Sequence, residues 1–365
     1  MKRLAILCGV VWILALCPVH AAYTAADLEP DLPSFNDDGP GRAEDAPSTA
    51  PVDPSVKAPG ESDPFTIDLS ITGDCLLSSY KGGSQTGSLN WYAATKDPSY
   101  FFEKVRDVFT RDDFTITNLE TVLTDRSLPE VKKNSDPAYW YRGPAANARI
   151  LSAGSIEAVS LTNNHTNDYG KAGKEDTIAA VNAQNILYGT EVKTIYLEKN
   201  GFTIAVICNG LWNEGQVQQI IPRIQEASKQ SDYQIIFYHG GTEFVLKPDP
   251  WKVRACRKLV DYGADLVIGS HPHVLQPMEV YKGVDIVYSL GNFCYGGSRS
   301  PKNRTVIYKL LLTVQDGQLI QSESSFIPCY VFTGSTNNWQ PAPIADAAAQ
   351  QRVLDFMYGK RDNPY

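Results

Sequence analysis

Three apolar runs in this chain each stop at a turn that carries histidine, and that pattern constrains the fold more than any other feature. Val159-Ser160-Leu161-Thr162 leads into Asn163-Asn164-His165. Ile235-Ile236-Phe237-Tyr238 leads into His239-Gly240-Gly241, and Leu266-Val267-Ile268 into Gly269-Ser270-His271-Pro272-His273. Short apolar runs bounded by turn residues read as buried strands. In α/β sheets, ligands bind beyond the carboxyl ends of the strands. The chain has five histidines, and the four that follow His20 all sit at such ends. Core packing would scatter them. Neutral imidazole is a common ligand for Zn, Fe, Ni and Mn ions. His271 and His273 can both face one ion or a pair, and Pro272 limits how the two rings move.

Carboxylates stand at two further strand ends. Phe65 to Thr72 alternates apolar and polar, as a half-buried strand does, and stops at Gly73-Asp74-Cys75-Leu76. The glycine lets the backbone turn tightly enough for Asp74 to reach a metal; a plain turn aspartate is the other reading. Phe114 to Leu119 ends in Asn118-Leu119-Glu120. Strand alternation puts Asn118 and Glu120 on one face, as a pair of hard oxygen ligands or as a solvated edge. Asn164 can supply a neutral oxygen. His165 beside it can act as a general acid, with Asp168 holding the ring through an N–H. Glu243 can orient His239 or lie at the surface.

Between these strands, helical spacing marks Ser99 to Phe109, Ala145 to Ser152, Lys174 to Asn185, Ile220 to Lys229, Trp251 to Tyr262 and residues 346–358. Asn200-Gly201 and Asp316-Gly317 are hairpin signals. Helices alternate with strands early and strands pair late, which suggests two mixed sheets covered by helices. The formal charge of −8, with no Lys/Arg cluster, argues against nucleic acid as a partner. Of seven cysteines, five follow the leader: Cys75, Cys208, Cys256, Cys294 and Cys329. They form no metal-binding spacing and read as buried thiols.

The first 63 residues are of a different kind. Lys2 and Arg3 precede an apolar stretch, Leu4 to Leu16, and Val19-His20-Ala21 fits a cleavage site, so residues 1–21 read as a signal peptide. The stretch is shorter than the ~20 apolar residues of a membrane-spanning helix; an uncleaved anchor is the alternative. Cys17 resembles a lipoprotein box, but with bulky Leu16 where a small residue is expected. Residues 22–63 are rich in Pro, Asp, Ala, Ser and Gly and read as a disordered linker. The folded domain is expected over 64–331, followed by an extension with a helix over 332–365. The protein is expected outside the cytoplasm, secreted or at the cell surface.

The series Gly73-Asp74, Asn118-Leu119-Glu120, Asn163-Asn164-His165 with Asp168-Tyr169-Gly170, His239-Gly240-Gly241, and Ser270-His271-Pro272-His273 through Ser289-Leu290-Gly291-Asn292-Phe293 resembles the CapA (PgsA) family of poly-γ-glutamate capsule proteins. That family is similar in fold to the calcineurin-like metallophosphatases. The resemblance covers about residues 65–330. It implies an α/β fold, a four-layer αββα metallophosphatase-like sandwich with metals at strand ends. It implies one or two divalent ions (Mn, Fe or Zn) held by Asp74, Asn118, Glu120, Asn164, His239, His271 and His273. It also implies a general acid, His165, with Asp168 behind it. Metallophosphatases carry a second first-strand ligand, a histidine, where this chain has Leu76. CapA relatives usually carry Trp after the fourth-strand histidine, where this chain has Gly240. Two functions stay open. One is a metal-dependent, phosphoesterase-like hydrolase of capsule assembly. The other is a non-catalytic component with a degenerate site that binds the anionic polymer or its export machinery. The substrate is accordingly a phosphoester or the anionic polymer, and a membrane-bound capsule synthesis or export complex is a further partner.

Exported protein is expected to begin near Ala22 and to stay protease-sensitive to about residue 63. Intact-mass analysis checks this, and retention of Met1 would favour the anchor.

Overall fold

The computed structural model describes residues 62–135, 137–296 and 303–365. The signal peptide and all but the last two residues of the linker lie outside the described residues. The chain enters β1 (Phe65–Cys75), then β2 (Ser79–Tyr80), α1 (Leu89–Thr95), α2 (Arg106–Phe109) and β3 (Phe114–Leu119). It continues through β4 (Val122–Leu123), β5 (Tyr141–Gly143), α3 (Arg149–Ala153), β6 (Ala158–Ser160), α4 (Gly170–Asn182) and β7 (Leu187–Gly189). A second set follows: β8 (Ile195–Lys199), β9 (Phe202–Gly210), α5 (Val217–Ala227), β10 (Tyr233–His239), α6 (Pro250–Asp261) and β11 (Leu266–Ser270). The last elements are β12 (Leu275–Tyr281), β13 (Val284–Leu290), β14 (Thr305–Gln315), β15 (Gln318–Tyr330), β16 (Ala342–Pro343) and α7 (Ala347–Met357). No helix among the described residues is long and apolar enough to cross a membrane.

Two large sheets result. One has the order β16-β15-β14-β1-β3-β6-β7 and the other β12-β13-β11-β10-β9-β8; a small third sheet is β2-β5-β4. Side-chain alternation explains how they stack. In β9, Ile204, Val206 and Cys208 join a core shared with Ile67, Leu69 and Ile71 of β1, while Ala205 and Ile207 face Ile220, Ile224 and Leu259 of α5 and α6. In β10, Ile235 and Phe237 take the shared core and Ile236 and Tyr238 the helical side. On the outer face of the first sheet, Leu119 and Val159 pack with Leu151 and Val181 of α3 and α4. The layers are therefore helix, sheet, sheet, helix, an α/β sandwich. All five described cysteines are buried and free.

Residues 332–365 pack into this sandwich. Val353, Phe356 and Met357 of α7 belong to the core between the sheets, and Ile344 joins them.

Other details depart from the sequence reading. Strand β1 is not half-buried: Ser70 and Thr72 are as inaccessible as Ile71, because β14 and β3 flank β1 and both sheet faces are covered. Ser99 to Phe109 is not one helix. Its apolar side chains, Phe101, Phe102, Val105 and Phe109, are buried at helical spacing. The backbone, however, starts as a 3-10 turn, Pro98–Tyr100, in which Asp97 accepts from the Ser99 N–H at 2.9 Å. Local side-chain bonds of this kind compete with a regular helix. Strand β12 has no counterpart in the sequence reading. It pairs with β13 through Lys282-Gly283, both at positive φ, a tight turn without the usual Asn or Asp.

Glu157, just before β6, accepts the Thr115 N–H at 2.7 Å. Burial pushes its carboxyl up from 4.5 to about 7. A carboxyl raised on folding contributes stability below its unfolded pKa and loses it as pH rises through the folded value. The domain should therefore lose stability between pH 4.5 and 7 from this group. Glu157→Gln keeps an acceptor for Thr115. It is expected to raise Tm at pH 8 by on the order of 2 °C and to change it little at pH 4.5, read by calorimetry.

Candidate metal centre

The strands that carry the site run parallel, so their carboxyl ends lie on one edge: β1, β3 and β6 in one sheet, β10 and β11 in the other. Gly73 is what lets the two edges meet. A Cβ at Gly73 would stand 1.8 Å from the Gly291 carbonyl oxygen, so only glycine fits. The neighbouring Asp74 N–H donates to that same oxygen at 3.0 Å, and Phe293 N–H donates to Asp74 O at 2.8 Å. The glycine thus serves a close backbone approach between sheets rather than a tight turn.

Glu120 is the centre of the cluster. It is fully buried, and neither carboxylate oxygen has a hydrogen-bond partner among the described residues. The Nε2 atoms of His165, His239 and His273 stand 3.8, 3.7 and 4.0 Å from Oε1. Burial, and then the charge of Asp74, push the Glu120 carboxyl well above its ordinary range. A buried carboxylate with no donor is costly unless a cation compensates it. Two overlapping sets bring one ligand atom per residue within 4.8 Å of each other: Glu120 with His271 and His273, and Asp74 with Glu120 and His239. Glu120 belongs to both, as a residue shared by two ions would. The donor set of carboxylate oxygen and imidazole nitrogen suits Zn, Mn or Fe.

Asp74 accepts from Asn118 Nδ2 at 2.7 Å and from the His271 N–H at 3.2 Å. Burial opposes its ionisation, but the His239 and His273 rings outweigh it and hold the carboxyl well below its ordinary range. His239 Nε2 lies 2.8 Å from Asn164 Oδ1 and 3.0 Å from His271 Nδ1. Burial lowers His239, with Asp74 offsetting only part, and pushes His271 down to about 2 together with the neighbouring His239 and His273. Burial also acts on His273, but Asp74, 3.3 Å from its Nδ1, raises it. Neutral imidazole is the form a metal takes. His271 and His273 both hold positive φ, 98° and 57°. That conformation costs a non-glycine residue roughly 1–3 kcal/mol and clusters at functional sites.

His165 stands slightly apart. Its Nδ1 is 2.8 Å from Asp168 Oδ2, and its ring borders the open cleft. Asp168 is buried, accepts the Tyr141 N–H at 2.7 Å and meets Lys133 Nζ at 2.5 Å. Burial lowers the His165 ring, and Asp168 offsets part of that.

The structure thus brings Asp74, Glu120, Asn164, His239, His271 and His273 into one cluster, with His165 and Asp168 beside it. Asn118 is differently placed from the expected ligand. Its Nδ2 serves Asp74 and lies 3.1 Å from His239 Nδ1, and its Oδ1 accepts from Asn163 at 3.2 Å, so both amide ends are engaged. It orients ligands. Glu243 does not orient His239; it reaches to 3.9 Å from His271 Nε2 and is half-exposed. Ser270 Oγ, at 3.0 Å, meets His239 Nδ1 instead. Leu76 is buried among apolar side chains. Cys75 takes the Thr117 hydroxyl hydrogen at 3.1 Å, and burial pushes its thiol up to about 12, so it offers no thiolate.

Sequence reasoning missed Lys133, Trp212 and Asn292. Asn292 Oδ1 holds His273 Nδ1 at 2.9 Å. Trp212 packs edge-on to His271 and His239, ring centroids 4.9 and 5.7 Å apart. Gly240 has no room for a side chain: a Cβ there would meet Leu211 O at 1.9 Å. The indole that packs on His239 and His271 is that of Trp212, the residue after Leu211. Lys133 arrives on an irregular segment, where spacing carries no signal.

The fold and site define an α/β sandwich with a buried histidine–carboxylate cluster at its strand ends. Residues 68–296 match the family described as "Bacterial capsule synthesis protein PGA_cap", and the chain belongs to that family. It is 28% identical over 268 residues to the PGA biosynthesis protein CapA of Bacillus subtilis (strain 168), covering 67% of this chain and 68% of the relative. To the capsule biosynthesis protein CapA of Bacillus anthracis it is 28% identical over 285 residues, 70% of this chain and 66% of the relative. The match thus spans about two thirds of each relative's length. Among solved structures, a hypothetical protein from Thermus thermophilus aligns with 72% of this chain and 99% of its own. The TM-score is 0.45 and the identity 14%, below the level that defines a shared fold.

Purified protein is expected to carry divalent transition metal, and the double substitution His271→Ala, His273→Ala to remove most of it. Elemental analysis checks this; unchanged metal content would sink the ligand assignment.

Proposed function

We propose that this chain is an extracytoplasmic, metal-dependent hydrolase of poly-γ-glutamate capsule synthesis, phosphoesterase-like in chemistry and metallophosphatase-like in fold. The observation that carries the reading is Glu120, buried and unpartnered within 4.0 Å of three imidazoles. The printed roles of the Bacillus relatives support the capsule setting.

Asp74, Glu120, Asn164, His239, His271 and His273 would hold one or two Mn, Fe or Zn ions. Such ions polarise a phosphoryl oxygen and lower the pKa of water. The chain's own residues do the rest. Asn118 and Ser270 fix Asp74 and His239, and Asn292 fixes His273, so the ligands are set before substrate arrives. Asp168 keeps a proton on His165 Nδ1 and leaves Nε2 to handle a proton in the cleft. When Nε2 is protonated it donates to the departing oxygen, and the Asp168 charge compensates the imidazolium. Lys133 and the Tyr141 N–H hold that carboxylate in place. A phosphoester fits this set better than a γ-glutamyl amide, by analogy with the fold alone.

One observation favours the non-catalytic reading, a polymer-binding or export component: Leu76 supplies no ligand at the first strand. His165→Ala separates the two. As a general acid His165 should cost at least about a hundredfold in rate when removed, with metal content unchanged. The loss should shrink for esters with acidic leaving groups. Wild-type rate on a poor leaving group would exclude His165 as the acid. A wild-type protein inert on every ester and γ-glutamyl amide would support the binding component.

A further inference from the structure

A cleft of about 530 Å3 opens from the cluster, bordered at its inner end by His165, His273 and Asn292. One wall is a run of tyrosines. Tyr80 meets Tyr139 edge-on with centroids 6.1 Å apart, Tyr139 lies nearly parallel to Tyr141 at 6.4 Å, and Tyr141 reaches His165 at 4.6 Å. Tyr295, 4.9 Å from the His273 ring, and Phe244, at 5.8 Å, form the other wall. Tyr80, Tyr139 and Phe244 are 45%, 48% and 48% exposed, apolar faces kept open to solvent at the mouth.

The polar groups of the cleft are mostly neutral. Tyr295 is only 7% exposed and lines the cleft. Gln85 adds an amide to the lining, while the Ser88 hydroxyl there also caps α1 by accepting the Trp91 N–H at 3.3 Å. No lysine or arginine is among the described lining residues, whereas Glu243 is. The lining itself offers aromatic faces and uncharged polar groups, with Lys81 Nζ 5.7 Å from the Tyr80 ring and Lys133 Nζ 3.3 Å from His165 Nδ1 beside it.

We propose that the cleft binds a saccharide, so that the ester acted on at the metal centre is a glycosyl-bearing phosphoester rather than the anionic polymer. Sugar rings present flat CH faces to stack on tyrosine and hydroxyls to meet the Tyr295 and Gln85 side chains. Ligand pockets combine such aromatic walls with a few placed polar groups. The assignment of the reacting bond rests on the phosphoesterase reading; saccharide binding does not.

Calorimetry on the full chain with chitotriose, maltotriose, tri-γ-glutamate and adenosine monophosphate tests this. At least one neutral trisaccharide should bind more tightly than the other two probes. Tyr139→Ala, at an exposed position, and Tyr295→Phe, which keeps the ring, should each weaken it about 3- to 10-fold. Chelator treatment should leave that affinity within about twofold, since aromatic stacking needs no metal. Tighter binding of tri-γ-glutamate or of the nucleotide, no saccharide binding, or indifference to both variants overturns the proposal. Esterase activity without saccharide binding overturns this inference alone. Saccharide binding without any esterase activity overturns the hydrolase reading alone.

Discussion

The backbone of Gly73 lies so near the Gly291 carbonyl that a Cβ there would stand 1.8 Å from its oxygen, and no other residue fits. Two sheets packed face to face ordinarily stand about 10 Å apart. Side chains reaching from their edges would then meet only at their tips. Here β1 and the end of β13 touch backbone to backbone, with Asp74 and Asn292 bridged as if in one sheet. The sandwich is pinched at this edge. Asp74, Glu120 and Asn164 from one sheet are thereby brought against His239, His271 and His273 from the other. Oxygen donors and nitrogen donors come from opposite sides of the core, and an ion between them would tie the sheets together.

Such a cluster is unstable by itself. Three buried imidazoles and two buried carboxylates cannot all find partners among themselves, and Glu120 has none among the described residues. The hydrogen bonds around the cluster engage Asp74, His239 and His273 and leave both Glu120 oxygens without a donor among the described residues. Asn118, Ser270 and Asn292 each take one atom of a ligand; at His239 and His273 that atom is Nδ1, with Nε2 toward Glu120. The strained backbone of His271 and His273 has the same sense. Free energy from folding the large core is used to hold a constellation that would relax if it could.

Most of this was legible because apolar runs and their polar ends lie next to each other in the chain. The strands around Phe65, Phe114, Tyr233 and Leu266 declare themselves by apolar content, and the ligand residues follow within a few positions. What was not legible depends on contacts between distant segments. Lys133 reaches Asp168 from an irregular segment, and Trp212 packs on His239 and His271 from a different strand end. Asn118 looked like a ligand because a strand end shows which residues share a face; it does not show that Asn163 would claim the amide oxygen. The same holds for Gly73, whose need for glycine lies in the carbonyl of Gly291, far along the chain.

Leu76 is where the metal site and the cleft meet. An imidazole here would add a nitrogen ligand to the first strand. The leucine instead packs with Tyr295, Val331 and Phe332 and forms part of the cleft wall. The side chain thus offers no donor to the buried histidines and carboxylates and extends the apolar surface beside the aromatic rings. Tyr141 and Tyr295 stand against His165 and His273 at that border, ring centroids 4.6 and 4.9 Å apart. The residue just past the end of the first strand therefore belongs to the cleft wall rather than to the donor set.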